Sequence, residues 1–94
     1  MRISRQAEAE LPDFSTHEEA RNYFKNKYGE RFVMVSSDVI DKMNVHFYAV
    51  VLNPSVFEDG QKKVRQGEYV FGEKYLESYQ SIEIFEDGRI HIIH

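Results

Sequence analysis

The dipeptide Asp87-Gly88 constrains the fold of this chain more than any other feature of its sequence. It separates two runs, SIEIFE and RIHIIH, in which isoleucines alternate with polar residues. Such alternation is typical of β-strands, and an Asp-Gly pair between two alternating runs indicates a β-hairpin with a two-residue loop. The sequence therefore predicts a C-terminal hairpin and, with it, an antiparallel sheet.

A two-residue loop would fix the register of this hairpin. It pairs Ile84 with His91 and Glu83 with Ile92 across the two strands. In that register apolar side chains lie on both faces of the hairpin. One of those faces must be covered, and where the domain cannot cover it, a second copy or a partner protein would.

The segment FSTHEEARNYFKNKYGER, residues 14–31, has the pattern of an amphipathic helix. Ser15 with Glu18, or Thr16 with Glu19, forms a capping box at its start. Apolar residues then recur at helical spacing up to an aromatic pair, and the glycine that follows is a stop signal. The sequence predicts the principal helix here.

Two apolar segments predict further strands: RFVMVSS at 31–37 and NVHFYAVVLN at 44–53. The second is apolar on both faces, which indicates a central strand. The link between them, residues 38–43, either extends a hairpin or forms one helical turn. Residues 1–13 are mostly polar, and we expect a flexible tail or an extended arm.

The stretch from 54 to 79 has weaker signals. Asn53 and Pro54 fit an N-cap and a first helical position, so they predict a short helix that ends at Gly60. The later part of the stretch is either a strand with a turn or a short helix from Glu73. Its glycines break any long element.

These elements predict an α+β fold in one small domain, residues 1–94. One principal N-terminal helix packs on a mainly antiparallel sheet of four or five strands that ends in the C-terminal β-hairpin. A chain of 94 residues fits a single domain, and a hydrophobic share of 41% suffices for one core.

Composition excludes several classes of function. The chain has no cysteine, which rules out disulfides and thiolate metal sites and favours a cytoplasmic location. Its longest apolar run, FYAVVL, is far shorter than the roughly 20 residues of a membrane span. The net charge of −4 disfavours nucleic acids and anionic membranes as partners. Size and composition resemble those of small bacterial or phage-encoded proteins.

The sequence contains no nucleophile motif, phosphate-binding loop or dinucleotide fingerprint, so we expect neither enzyme activity nor a cofactor. An alternative hypothesis is a small metal or acid/base enzyme that uses His46, His91 and Glu83. His91 and His94 cannot chelate one ion on a strand, because residues three apart lie on opposite faces. His17, in the predicted helix, is expected to be a surface residue of the first turn.

A basic group in the weaker stretch is a second alternative. Aromatic residues flank it in sequence, and cations beside exposed aromatic rings can bind single-stranded nucleic acid. Acidic neighbours cancel most of its local charge. The candidate nucleic-acid contacts, within residues 57–71, are Lys62, Lys63 and Arg65.

An aromatic group in the same stretch is a candidate surface for a protein partner, since tyrosine and phenylalanine are favoured at interfaces. Its members are Tyr69, Phe71, Tyr75 and Tyr79. Together these observations predict a non-enzymatic protein-binding or regulatory domain of the inhibitor, immunity factor or adaptor type. Its partner would be another protein or a second copy, and the last strand could supply a sheet edge for a dimer.

Overall fold

The computed structural model describes residues 2–68 and 72–94 of the chain. Within these residues four strands form one sheet, and each strand pairs antiparallel with its neighbour in sequence. The strands are β1 (Phe32–Ile40), β2 (Met43–Val51), β3 (Tyr79–Phe85) and β4 (Ile90–Ile92). The order β1-β2-β3-β4 places β2 inside the sheet, as predicted, and leaves β1 and β4 at its edges.

Helices cover both faces of this sheet. They are α1 (Arg5–Ala9), α2 (His17–Tyr28), α3 (Pro54–Arg65) and α4 (Glu73–Leu76), and a 3₁₀ turn, Gly29–Arg31, follows α2. The α+β class and the antiparallel pairing are therefore confirmed. The prediction of one principal helix is only roughly right, because α3 is as long as α2, with 12 residues each. Among the residues that the structure describes, no helix has the length and apolar character to cross a membrane.

The start of α2 uses the second of the two capping alternatives. Thr16 is the N-cap, and its hydroxyl accepts a hydrogen bond from the N–H of Glu19 at 3.1 Å. The Glu19 carboxylate reaches back and accepts from the N–H of Ser15 at 2.7 Å. The helix ends at Gly29, whose φ of +58° is in the left-handed region that glycine tolerates. These caps fix where the buried stripe of α2 begins and ends.

The first core lies between α2 and the sheet. Phe24 of α2 stacks on Phe32 with 5.6 Å between ring centroids, and Phe32 stacks on Tyr48 at 4.5 Å. Aliphatic side chains surround these rings: Ile3, Ala20, Val50, Ile82, Ile84 and Ile92. Fully burying a side chain of this size stabilises the fold by about 1.5–3 kcal/mol. This layer is therefore the main source of hydrophobic stabilisation.

The link between β1 and β2 extends their hairpin and forms no helical turn. Asp41 and Lys42 make up the loop, with φ values of +51° and +66°. Two positive φ values in a row are what a two-residue hairpin turn requires, although glycine is absent here. The hairpin therefore runs without interruption up to its tip.

The C-terminal hairpin forms between β3 and β4, but the predicted register is wrong. Glu83 pairs with His91 and not with Ile92. The loop has three residues rather than two, because the N–H of Phe85 donates to the carbonyl of Arg89 at 2.9 Å and closes the turn one position earlier.

Gly88 accounts for this longer loop. Its φ of +89° supplies the left-handed residue that closes a three-residue hairpin turn. A Cβ at this position would come within 2.2 Å of the Phe14 carbonyl oxygen, so the segment before α2 also lies close against the loop. The loop therefore requires glycine for two separate reasons.

The extra loop residue changes which side chains share a face. Four of the five isoleucines of the hairpin now lie together on the face that α2 covers: Ile82, Ile84, Ile90 and Ile92. Glu83 and His91 lie on the opposite face. Phe85 also lies on that opposite face, and Ile93 lines a groove there with Glu83. Apolar side chains of the hairpin therefore lie on both faces, as expected, although the predicted register is wrong.

The helix α3 begins as predicted and ends later. Asn53 caps it, and Pro54 occupies its first turn. The prediction that Gly60 ends the helix is wrong, because Gly60 is buried inside it and the ring of Tyr75 lies over its Cα. On this second face Phe57 packs on the sheet, and the core consists of Ala49, Val51 and Phe57 with Val33, Tyr75 and Tyr79 around it.

The N-terminal residues are docked on the sheet and are not a flexible tail. Ile3 is buried, and its N–H and carbonyl pair with the side-chain amide of Gln80 at 2.6 and 3.0 Å. Ser4 then caps α1, whose Glu8 contacts His94 at 2.7 Å. The expected extended arm is therefore a short helix that is attached at both ends.

Candidate functional site

The outer edge of β1 is the most exposed apolar feature of the described residues. No other described strand pairs with that edge. Four of its side chains are large, apolar and about half exposed: Met34 (55%), Val35 (49%), Val39 (61%) and Ile40 (46%). An exposed edge strand has unpaired N–H and C=O groups, and such an edge readily binds another strand.

A bulge near the middle of β1 shapes this edge. Met34 pairs with Tyr48 and Ser36 pairs with Phe47, so Val35 is an extra residue. Bulges bend and twist a strand locally and change the direction of the side chains beyond them. As a result Val35 and Ser36 lie on the side of α3, and the rest of β1 keeps regular pairing with β2.

Charges that usually protect a sheet edge are nearly absent from β1. Asp38 is the one charged residue between Phe32 and Ile40. Its carboxylate accepts a hydrogen bond from the N–H of Val39 at 2.7 Å. Natural edge strands are usually protected by lysine, proline, short length or a bulge, and of these the nine-residue β1 has only the bulge at Val35.

The other edge differs from β1 in each of these respects. β4 has three residues and is therefore a short edge. Arg89 precedes it, and His91 in its middle is exposed and bonded to Glu83. The last strand is thus an edge, as expected, but a short and polar one. The apolar edge is at the other side of the sheet.

A histidine cluster at the start of α2 is the second candidate. The rings of His17 and His46 stack with 3.8 Å between centroids and 21° between planes. His17 Nε2 lies 2.7 Å from the Tyr48 hydroxyl, and His46 Nε2 lies 2.8 Å from Glu86 Oε1. The N–H of His17 also donates to the Glu86 carbonyl at 3.2 Å. The expectation that His17 is a plain surface residue is wrong, because it is half-buried in this contact.

The residue types in this cluster could hold a divalent transition-metal ion. Ligand atoms of His17, His46 and Glu86 all lie within 4.8 Å of one another. Two histidines and a glutamate are a known zinc ligand set. Nearly parallel stacked rings, however, cannot both direct an in-plane lone pair at one ion.

The second nitrogen of His46 also opposes ligation. His46 Nδ1 is buried and has no hydrogen-bond partner among the described residues. Binding an ion at Nε2 would put the proton on Nδ1, and metal-bound histidines normally donate that proton to a partner. The geometry is that of a packing contact between α2 and the sheet.

Titration in this cluster follows from burial and from neighbouring charges. Burial lowers the pKa of His17, and the nearby His46 lowers it further. The hydrogen bond from His46 lowers the pKa of the Glu86 carboxyl. Both shifts favour a state in which His17 is neutral and Glu86 is ionised.

The three residues of the metal or acid/base hypothesis are not brought together. His46 pairs with Ile84 and therefore lies on the α2 face. Glu83 and His91 lie on the α3 face, where His91 Nδ1 is 2.9 Å from Glu83 Oε1. The sheet thus separates His46 from the other two residues.

The basic group lies on a helix and not in a loop. Lys62, Lys63 and Arg65 belong to the last turn of α3, where cations complement the negative end of the helix dipole. Lys63 also pairs with Asp59 at 3.4 Å. Phe57, one of the flanking rings, is in the core. Nucleic-acid binding by this group stays a prediction.

The aromatic group is only partly within the described residues, because Tyr69 and Phe71 lie outside them. Tyr75 and Tyr79 are half-buried and lie 5.4 Å apart between ring centroids. The Tyr75 hydroxyl accepts a hydrogen bond from Gln61 at 2.6 Å, and burial raises the pKa of Tyr79. Both rings thus have packing roles, and the proposed partner surface stays a prediction.

A groove beside these tyrosines is small. Its volume is about 210 Å³, and its lining includes Phe47, Tyr75, Tyr79, Glu83 and Ile93. Binding sites for small organic ligands usually have volumes of about 300–1,000 Å³. The groove is therefore a weaker candidate than the β1 edge.

The β1 edge is not among the candidate sites predicted from the sequence. The signal was present in the segment MVSSDVI, where two apolar pairs flank three polar residues. The first four residues of that segment were interpreted as part of a strand, and the last three as part of the link to the next strand. Its exposure depends on the strand order, which the sequence did not reveal.

Comparison with known proteins provides no further information on function. No family model, no curated protein and no solved structure matches the chain.

Proposed function

We propose that this protein is a non-enzymatic protein-binding domain that binds its partner through the outer edge of β1. The observation that carries the proposal is the row of exposed apolar side chains along a nine-residue edge strand. We assign this domain to the cytoplasm, because a cysteine-free chain is suited to a reducing compartment.

Strand addition provides both affinity and selectivity at such an edge. The unpaired main-chain groups of β1 bond to an added strand, and alternate side chains select which strand fits. Met34, Val35, Val39 and Ile40 would lose exposed apolar surface, and burial of apolar surface is worth about 25 cal/mol per Å². This mode of binding fits the inhibitor, immunity factor or adaptor class predicted from the sequence.

The experiment compares two double variants with the wild-type protein. Val35→Lys with Val39→Lys puts charges on the β1 edge, where they oppose strand addition. Val64→Lys with Leu76→Lys is the matched control, since Val64 and Leu76 are about as exposed, at 49% and 52%, but lie on helices. The wild-type protein and both variants carry an N-terminal tag. Each is used to capture partner proteins from a lysate of the source organism and, in a second assay, to capture the untagged wild-type chain.

We expect a bound protein to be retained by the wild type and by the helix control and to be lost from the β1 variant. A partner retained equally by both variants would place the binding surface elsewhere. A partner lost equally from both would show that added charge, and not the edge, weakens binding. Nuclease treatment of a parallel sample tests whether nucleic acid mediates the capture.

A further inference from the structure

We infer that the strand that adds to β1 is β1 of a second copy of this chain, paired antiparallel about a two-fold axis at Ser37. This inference rests on the proposed function, since it names the occupant of the same edge. It is carried by the order of side chains along β1.

The exposed part of β1 is self-complementary in the antiparallel sense. In MVSSDVI, an apolar pair, three polar residues and a second apolar pair are arranged symmetrically about Ser37. An axis at Ser37 brings Ser37 against its own copy and Ser36 against Asp38 of the second copy. A two-fold contact requires this kind of self-complementary patch.

The bulge is compatible with this pairing. Because Val35 is an extra residue, Val39 of the second copy lies against Met34 and Val35 together, and Ile40 lies against Val33. Met34 and Val39 both lie on the α2 side of the sheet, since their partners Tyr48 and Asn44 are four residues apart on β2 and therefore share a face. Apolar side chains therefore meet on the same face.

Neighbouring registers are worse. A two-fold axis perpendicular to the sheet must lie midway between the two copies of one residue, because directly opposed side chains point to the same face. An axis at Asp38 sets two carboxylates directly opposite each other, which is destabilising. An axis at Ser36 sets Asp38 against the apolar Met34. Of these three positions, Ser37 is the one that matches polar with polar residues and separates the carboxylates.

The charges at the ends of β1 neither drive nor prevent this pairing. With Ile40 against Val33, the exposed Lys42 of one copy lies opposite the exposed Arg31 of the other, and Asp41 and Glu30 lie next to them. Each of the two neighbouring pairs, Asp41-Lys42 and Glu30-Arg31, contains one acidic and one basic residue, so the charge at each end of the contact is balanced.

The size of the contact predicts a weak dimer. One strand from each copy gives an interface at the small end of the range, below about 1,200 Å² in total, which is typical of transient complexes. Dimer formation should therefore depend on concentration. The sheets of the two copies would join into one continuous sheet with α2 of both copies on the same side.

Single cysteines test the register, because the natural chain has none. In the proposed pairing the two Ser37 Cα atoms are about 4.5–5.5 Å apart, as in any directly opposed antiparallel pair. A disulfide needs a Cα separation of about 4.4–6.8 Å. In the same pairing the two Ser36 residues are two positions apart along the strands, so their Cα atoms lie roughly 8 Å or more apart.

Ser37→Cys is the test variant, Ser36→Cys the register control, and Ser55→Cys, exposed on α3, the control for random collision. Under mild oxidation we expect a covalent dimer of Ser37→Cys at several times the rate of either control. Equal rates for the three variants would overturn the inference. So would wild-type protein that sediments as a monomer at every concentration.

The result also separates this inference from the proposed function. If Ser37→Cys stays monomeric while the β1 lysine variant loses a captured protein, the edge binds another partner and the second-copy inference fails alone. If Ser37→Cys forms the disulfide-linked dimer, and the β1 lysine variant no longer associates while the wild-type protein does, the second-copy inference and the proposed function both stand. If the lysines change neither capture nor association, both fail.

Discussion

At the scale of single residues, His17 connects α2 to the sheet. Its ring lies between His46 and the Tyr48 hydroxyl, and its N–H bonds to the Glu86 carbonyl. A proton on this ring is disfavoured by burial first, then by His46 and by Arg21, and is favoured by Glu86 and Glu18. The net effect is a lowered pKa of His17, so protonation of this ring destabilises the folded state.

Stability should therefore fall in mild acid through His17. As pH drops through 6.5, the ordinary histidine value, the unfolded chain takes up a proton that the folded His17 resists. Binding more protons in the unfolded state lowers the free energy of unfolding as pH falls. We expect urea unfolding at about pH 5.5 to give lower stability than at about pH 7.5, with a smaller difference in His17→Gln.

The control for this measurement is His91→Gln, because His91 is exposed on the other face of the sheet. This variant leaves the His17 ring in place, so the loss of stability in mild acid that depends on His17 should remain. The pKa values of Glu8 and Glu86 are lowered, so these carboxylates also contribute to stability. Their contribution to the free energy of unfolding is lost only as pH falls below the ordinary carboxyl value of 4.5, which is outside the range of this measurement. An unchanged pH dependence in His17→Gln would contradict the role assigned to this ring.

Gly60 shows a different constraint, which is space. A Cβ at this buried position would lie 2.1 Å from the Tyr75 ring, whose hydroxyl is held by Gln61. Gly60→Ala should lower the free energy of unfolding by about 1–2 kcal/mol, because overpacking outweighs the gain in helix propensity. Gly72→Ala, with open space around it, should change stability by less than about 0.5 kcal/mol. Chemical denaturation checks both, and a stabilised Gly60→Ala would refute the contact.

At the scale of elements, Gln80 holds the N-terminal segment on the sheet. It is buried on β3, and its amide bonds to the N–H and carbonyl of Ile3 and to the carbonyl of Ile93. Gln80→Leu leaves these backbone groups without a partner, at a cost of about 1–3 kcal/mol for each group that stays buried.

The segment should then detach before the domain unfolds. We expect faster trypsin cleavage after Arg5 in Gln80→Leu than in the wild type, read by mass spectrometry of the released peptide. Gln66→Leu, at the exposed end of α3, is the control and should leave cleavage unchanged. Equal cleavage rates in Gln80→Leu and the wild type would mean that other contacts hold the segment.

The elements that the sequence predicted well are those with local signals. The α2 cap at Thr16 and Glu19 and the central position of β2 depend on nearby residues or on two-sided burial. The errors have non-local causes. The loop that sets the hairpin register packs against Phe14, and Gly60, inside α3, packs against Tyr75, which lies 15 positions further along the chain.

At the scale of the whole molecule, the two helical layers decide which surfaces remain. α2 covers one face of the sheet, and α3 packs on the other through Phe57. The apolar surface that stays open among the described residues lies mainly along β1. The sequence showed the apolar pairs of MVSSDVI but not that their strand would be an edge, since strand order is a property of the assembled sheet.

The proposed binding surface is the outer edge of β1, and hydrogen–deuterium exchange tests this location most directly. Exchange is followed in wild-type protein alone at low concentration and then saturated with its partner, whether a captured protein or the chain itself at high concentration. We predict slower exchange in residues 32–40, with little change in residues 54–65 and 72–79. Protection confined to the tyrosines at 75 and 79 or to the basic turn of α3, with β1 unchanged, would contradict the account.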